Sequence, residues 1–183
     1  MKKRYLASFV ILLTFVLSSC LTAQYKEYKF EMTGKNSGEL TITYKNIICL
    51  RYDDDISVQE EAEQDYAELI SDYIEGTTIE EDFPNAKVKS KRLFEENNQL
   101  CGEIIFEFDD IEDANLYKYN KKSPYMFHLP SDEEYFDSNG EKAPEFIKLI
   151  TWDKKAKLLE LTAIVNEPDE ESISLLQIWK DNK

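Results

Sequence analysis

Apolar and polar residues alternate over Tyr28-Lys-Phe30-Glu-Met32 and again over Leu40-Thr-Ile42-Thr-Tyr44. A period of two places one set of side chains on one face of a strand. Between the two runs, Gly34-Lys-Asn-Ser-Gly38 is a turn sequence, so the pair reads as a β-hairpin. Ile47-Ile-Cys-Leu50 continues it, as a short buried strand or as an extension of the second one. A second hairpin is expected from residues 86–94 and 100–109, turning at Glu95-Glu-Asn-Asn98. Its returning strand sets Ile104, Phe106 and Phe108 on one face and Cys101, Glu103, Ile105 and Glu107 on the other. Residues 145–152 and 157–165 suggest a third hairpin around Asp153-Lys-Lys-Ala156.

The period changes at Ser57. This serine stands three residues before Glu60, the spacing of a capping box, and Gly76 supplies a C-terminal stop. Val58, Ala62, Tyr66, Leu69, Ile70 and Tyr73 follow one helical face. Glu60, Glu61, Glu63, Gln64, Glu68 and Asp72 form the other, read as a solvated surface whose first-turn acids suit the helix dipole. Asp109 or Asp110 can cap a short helix through Ala114, Leu116 and Tyr117. Residues 120–145 are broken by Pro124, Pro130 and Pro144, with a strand suggested at Tyr125-Met-Phe-His-Leu129. Pro168-Asp-Glu-Glu-Ser172 looks like a helix start, with Leu175, Leu176, Ile178 and Trp179 as its buried side; a final strand is the alternative.

Hairpins with one or two helices define an α+β fold, a mostly antiparallel sheet with helices on one face. Aromatic residues make up 13% of the chain, which argues against disorder, and the few glycines and prolines leave no long linker. About 160 residues beyond the leader suffice for one domain.

That leader is a positive cluster, Lys2, Lys3 and Arg4, before an apolar run to Leu17. The run is short for a spanning helix, which needs ~20 residues, and fits a signal peptide better than an uncleaved anchor. Leu17-Ser18-Ser19-Cys20 resembles the lipobox of bacterial lipoproteins. The resemblance implies cleavage before Cys20, a diacylglycerol group on its thiol and acylation of its new amine; several acyl chains together give stable anchoring. Cleavage after Ala23 or after Cys20 is the competing reading. The expected organisation is a signal peptide over 1–19, a lipidated tether over 20–25 and a single domain over 26–183. Phe83-Pro-Asn-Ala-Lys-Val88 and Gly102-Glu-Ile-Ile-Phe-Glu-Phe108 within the hairpin, helix, hairpin order also resemble small bacterial envelope lipoproteins. No catalytic residues come with that likeness. Leu21 after the anchor, without an early acidic cluster, resembles outer-membrane sorting with the domain facing the periplasm.

Removal of residues 1–19 takes away three basic side chains and no acidic one, moving the formal net charge from −15 to −18. Such a chain repels nucleic acid and anionic surfaces, and suits a basic protein, a basic peptide or a cation as partner.

Candidate chemistry is sparse. His128 is the one histidine, and no nucleophile elbow, HExxH, CxxC or phosphate loop is present, so no catalytic residue and no cofactor are expected. Asp137-Ser-Asn139-Gly-Glu141 holds part of a calcium-loop pattern but is also a plain turn sequence. Asp53-Asp54-Asp55 reads as a charged strand exit. With Cys20 lipidated, Cys49 and Cys101 either pair as a disulfide or pack as two buried thiols. The function expected is a membrane-anchored envelope binding or structural module with an acidic surface. The alternatives are an exported carboxylate-dependent hydrolase and an acidic inhibitor or protective protein of a basic partner.

Overall fold

The computed structural model describes residues 21–50, 56–144 and 146–183. The leader, Cys20 and the Asp53-Asp54-Asp55 run lie outside the described residues. Strands β1 (Leu21–Met32) and β2 (Gly38–Cys49) pair antiparallel with Met32 opposite Gly38 and Leu21 opposite Cys49. The first hairpin is therefore longer than its alternation suggests. Residues 21–25, expected as a tether, are the start of β1. Polar Thr22 and Gln24 hide the strand pattern, but Thr22 pairs with Ile48 in the ladder to β2, and Asn46 Nδ2 donates to Gln24 Oε1 at 3.0 Å.

Strands β3 (Lys87–Glu96) and β4 (Gln99–Phe108) form the second hairpin. Asn97 and Asn98 turn it with φ of 51° and 62°. Two successive left-handed residues make the tight turn whose twist suits a hairpin, and asparagine tolerates that conformation well. Short strands follow: β5 (Leu116–Tyr117), β6 (Tyr125–His128), β7 (Glu134–Ser138), β8 (Glu141–Lys142) and β9 (Leu149–Trp152). The chain ends with β10 (Leu158–Ile164) and β11 (Ile173–Ser174).

These strands make two antiparallel sheets. The larger runs β3-β4-β2-β1-β10-β7, with β11 beside the end of β2; the smaller runs β5-β6-β9-β8. With one main helix, the class is α+β, mostly antiparallel. The third hairpin does not form. β9 pairs with β6 and β8, while β10 pairs with β1 and β7. Ile150 and Trp152 are drawn into the layer between the sheets, and residues 153–157 carry the chain from one sheet to the other. Met32 N–H donates to Lys157 O at 2.8 Å and fixes that crossing.

Helix α1 (Val58–Glu68) begins as the capping spacing indicates, with Ser57 Oγ accepting from Glu60 N–H at 3.2 Å. It widens into a π-helical turn over Leu69–Ile74. Its buried face is rotated from the expected one. Closest approach is made at Ala62, which draws in Glu61 and Asp65, while Val58 is 38% exposed. Glu61 thus leaves the solvated face on which the pattern placed it. Asp110 caps a 3-10 turn over Ile111–Ala114, which ends at left-handed Asn115. At the C-terminus, Asp169 Oδ1 accepts from Glu171 N–H and Ser172 Oγ in a turn, not a helix start. Both C-terminal readings are realised in sequence: β11 first, then α2 (Leu176–Asp181), burying Leu175, Leu176 and Ile178.

One face of the large sheet carries the core. At one end Phe30, Phe106 and Leu159 meet Phe127, Ile150 and Trp152 of the small sheet. At the other, Ala23, Ile47 and Leu100 meet Ala62, Leu69, Leu175 and Ile178. The opposite face is polar and laced with ion pairs such as Lys29–Glu31, Lys45–Glu96 and Arg92–Glu103.

Candidate functional site

Between the two apolar clusters, β1 places a lysine where its pattern calls for an apolar residue. Lys26 shares the core-facing set with Tyr28 and Phe30, and Tyr44 stands directly opposite it on β2. A buried ammonium needs a partner. Glu133 supplies it from the loop before β7, with Oε1 3.0 Å from Lys26 Nζ. The side chains are 14% and 3% exposed. Tyr28 OH donates to the same carboxylate, 2.7 Å from Oε1 and 2.9 Å from Oε2. Lys26 Nζ also lies over two rings, 5.1 Å from the Tyr28 centroid and 5.4 Å from that of Tyr44. The Glu133 loop is clamped in turn by Lys148, whose Nζ donates to Ser131 O at 2.7 Å and Glu133 O at 2.6 Å.

Burial alone would lower the Lys26 pKa, but Tyr44, Glu133 and the hydrogen bond to Glu133 outweigh it and hold the ammonium above its ordinary value. Burial raises the Tyr28 phenol, and the Glu133 carboxylate, by charge and by accepting its hydrogen bond, raises it further. Tyr44 is also raised by burial, against the opposing pull of Lys26.

Beside this cluster lies a cavity of about 290 Å³. Leu21, Ala23, Ile47, Leu69, Ile79 and Ile104 line it, with Lys26, Tyr44 and Glu133 in one wall. The π-helical turn explains how α1 reaches it. Its i to i+5 pitch brings Leu69, Tyr73 and Ile74 to the same side. Lys91 of β3 closes that turn, donating to Tyr73 O at 3.1 Å and Gly76 O at 2.6 Å and pairing with Glu80 at 2.6 Å. A cation at a helix C-terminus complements its dipole. Gly102 leaves the cavity floor open, since a Cβ there would stand 3.2 Å from Ile47 Cδ1.

Across the Lys26–Glu133 pair is an open groove of about 690 Å³. His128 sits there, exposed on β6, its ring stacked on Tyr117 with centroids 5.5 Å apart. Lys26, Asp132 and Glu133 line both spaces, so the ion pair is part of the wall between them.

The other sequence candidates sit elsewhere. Asn139 is committed to structure: its Oδ1 accepts from Trp152 Nε1 at 2.7 Å and Glu160 N–H at 2.9 Å, tying the two sheets together. Gly140 permits this approach, since a Cβ there would lie 2.5 Å from Trp152 Nε1. Among the described residues, no group of three or more His, Cys, Asp or Glu side chains is placed to hold a metal ion. Cys49 and Cys101 are separate buried thiols. The pairing of Tyr44 with Gly102 sets Cys101 beside Lys45, four residues short of Cys49 along β2. That is about 13 Å at ~3.3 Å per residue, beyond the ~7 Å a disulfide spans. Burial raises the Cys101 thiol pKa.

Comparison with protein-family models, curated proteins and solved structures finds no match to this chain.

Proposed function

We propose that the protein is a lipid-anchored lipoprotein of the bacterial cell envelope that acts by binding, taking an amphipathic ligand into the cavity beside β1. One observation carries this reading: an apolar cavity with a buried, paired ammonium in its wall. The apolar lining suits a hydrocarbon body, and Lys26, Tyr44 and Tyr28 suit a polar end with acceptor oxygens. The Leu17-Ser18-Ser19-Cys20 motif supports the anchor. With β1 starting at Leu21, one residue after Cys20, the cavity would lie close to the membrane that supplies such ligands.

The carboxylates favour binding over hydrolysis. Glu133 is engaged by Lys26 and Tyr28, and the Glu103 carboxylate pairs with Arg92 on the opposite, polar face of the sheet. The exposed acids of α1, Glu60 and Glu63, remain the surface suited to a basic protein or peptide.

Two measurements test the reading. Metabolic labelling with a fatty-acid analogue should tag the wild type and not Cys20→Ala. Native mass spectrometry of the protein equilibrated with a medium-chain fatty acid should show one bound molecule, lost in Ala23→Trp, which fills the cavity. Equal binding by wild type and Ala23→Trp would remove the cavity from consideration.

A further inference from the structure

On a chain carrying 37 acidic residues, six lysines gather around one groove of about 400 Å³. Lys35 comes from the turn between β1 and β2, Lys118 and Lys121 from the segment between β5 and β6, and Lys154, Lys155 and Lys157 from the crossing between β9 and β10. Only Asp110 and Glu112 bring negative charge to the lining. Asp110 is already used, capping its 3-10 turn through Glu112 N–H and accepting from Asn36 Nδ2.

Elsewhere on the molecule, six lysines find carboxylates: Lys26, Lys29, Lys45, Lys89, Lys91 and Lys180 all form ion pairs. Among the described residues, none of the six groove lysines has a carboxylate within 4.0 Å. Their positive charge is left for something outside the chain. The backbone that carries them is organised in advance. Asp153 Oδ1 accepts from Lys155 N–H at 2.7 Å, and Asn120 Oδ1 from Lys122 N–H at 2.8 Å. Lys118 Nζ is held 3.3 Å from the Tyr125 ring centroid and donates to Lys154 O, joining two of the three segments.

The net charge of the whole chain does not cancel this. Charges more than a Debye length away, about 8 Å at physiological ionic strength, are largely screened. A ligand inside the groove is governed by the lysines around it. Lysine ammonium groups bind phosphate as point charges. A concave site between three turns admits a compact multivalent anion and excludes a flat bilayer.

We infer that this groove is a binding site for a small ligand bearing clustered phosphate groups, distinct from the cavity beside Lys26. The two sites lie at opposite ends of β1. Leu21 lines the cavity, whereas Lys35 lies beyond Met32, about 36 Å along the strand at ~3.3 Å per residue. If Cys20 anchors the protein, the groove faces away from that membrane.

The test uses the full-length protein in phosphatidylcholine nanodiscs, titrated calorimetrically with tripolyphosphate. Saturable binding is expected, weakened by about tenfold or more in Lys121→Glu/Lys155→Glu, since each lost charge-assisted contact carries a substantial share. Lys35→Glu/Lys154→Glu, which alters two other exposed side chains, should do the same. Lys87→Glu, on exposed β3 outside the groove, should leave binding unchanged. Absence of saturable binding overturns the proposal, as does equal weakening by Lys87→Glu, which would mean a diffuse field. Binding to phosphatidylglycerol vesicles without binding to tripolyphosphate overturns it too, because the partner would then be a flat anionic surface.

Discussion

Lys26 and Glu133 meet at 3.0 Å although 107 residues separate them. The pair locks the loop before β7 onto the centre of the large sheet and forms part of the wall of the cavity. Its stability and its suggested role in binding are therefore linked.

Removing one partner should be costly. Glu133→Gln leaves a mostly buried ammonium without its counter-charge and is expected to destabilise the fold by about 3–5 kcal/mol. Replacing the set together, as Lys26→Met/Tyr28→Phe/Glu133→Leu, should recover much of that loss, because no buried charge then remains unpaired. Urea unfolding monitored by tryptophan fluorescence measures both. A Glu133→Gln protein as stable as wild type would show that the pair is dispensable.

Stability should fall on the alkaline side. Lys26, Tyr28 and Tyr44 all have folded pKa values above their ordinary values of 10.5, 10.0 and 10.0. Above about pH 10 the folded state therefore holds more protons than the unfolded one, and its stability decreases as pH rises. Below that range the contribution is present in full. Tyr28→Phe removes one of the three groups and should flatten the decline between pH 10 and 11.5 in thermal melts; an unchanged slope would contradict this.

Asn139 joins the sheets through Trp152 and Glu160. Asn139→Ala strands a buried indole N–H and should cost about 1–3 kcal/mol. It should also shift the Trp152 fluorescence emission. Loss of neither stability nor signal would mean that another group takes over the hydrogen bond.

The two thiols should react only after unfolding. Intact mass of non-reduced protein, alkylated in denaturant, is expected to show labels on both Cys49 and Cys101, while native protein reacts slowly because both are buried. An unlabelled pair in the denatured sample would mean a disulfide.

Local patterns revealed the strands more readily than their partners. Alternation around Phe30, Ile42 and Phe106 located the first two hairpins, because side chains on a one-sided sheet must alternate. The 149–152 and 158–164 strands were legible too, but not that they belong to different sheets; that depends on which edges β1 and β6 offer. The helix at Ser57 was legible, and its rotation was not, since burial of Glu61 and Asp65 contradicts any apolar pattern. Lys26 left a readable trace as a charged residue in register with Tyr28, Phe30 and Met32. Glu133 left none, as it lies in a loop where a carboxylate is unremarkable until the fold brings Lys26 beside it. The lysines of the groove were hidden by a net charge that averages over the whole surface.

The most direct measurement is photocrosslinking of the full-length protein, reconstituted with phosphatidylcholine vesicles, with a diazirine-bearing medium-chain fatty acid, mapped by peptide mass spectrometry. Labels are expected on the cavity wall, in the segments holding Leu69–Ile74, Ile79 and Leu93–Ile104, and should be lost in Ala23→Trp. Labels confined to the outer face of the large sheet, or a pattern that Ala23→Trp leaves unchanged, would contradict ligand binding in the cavity.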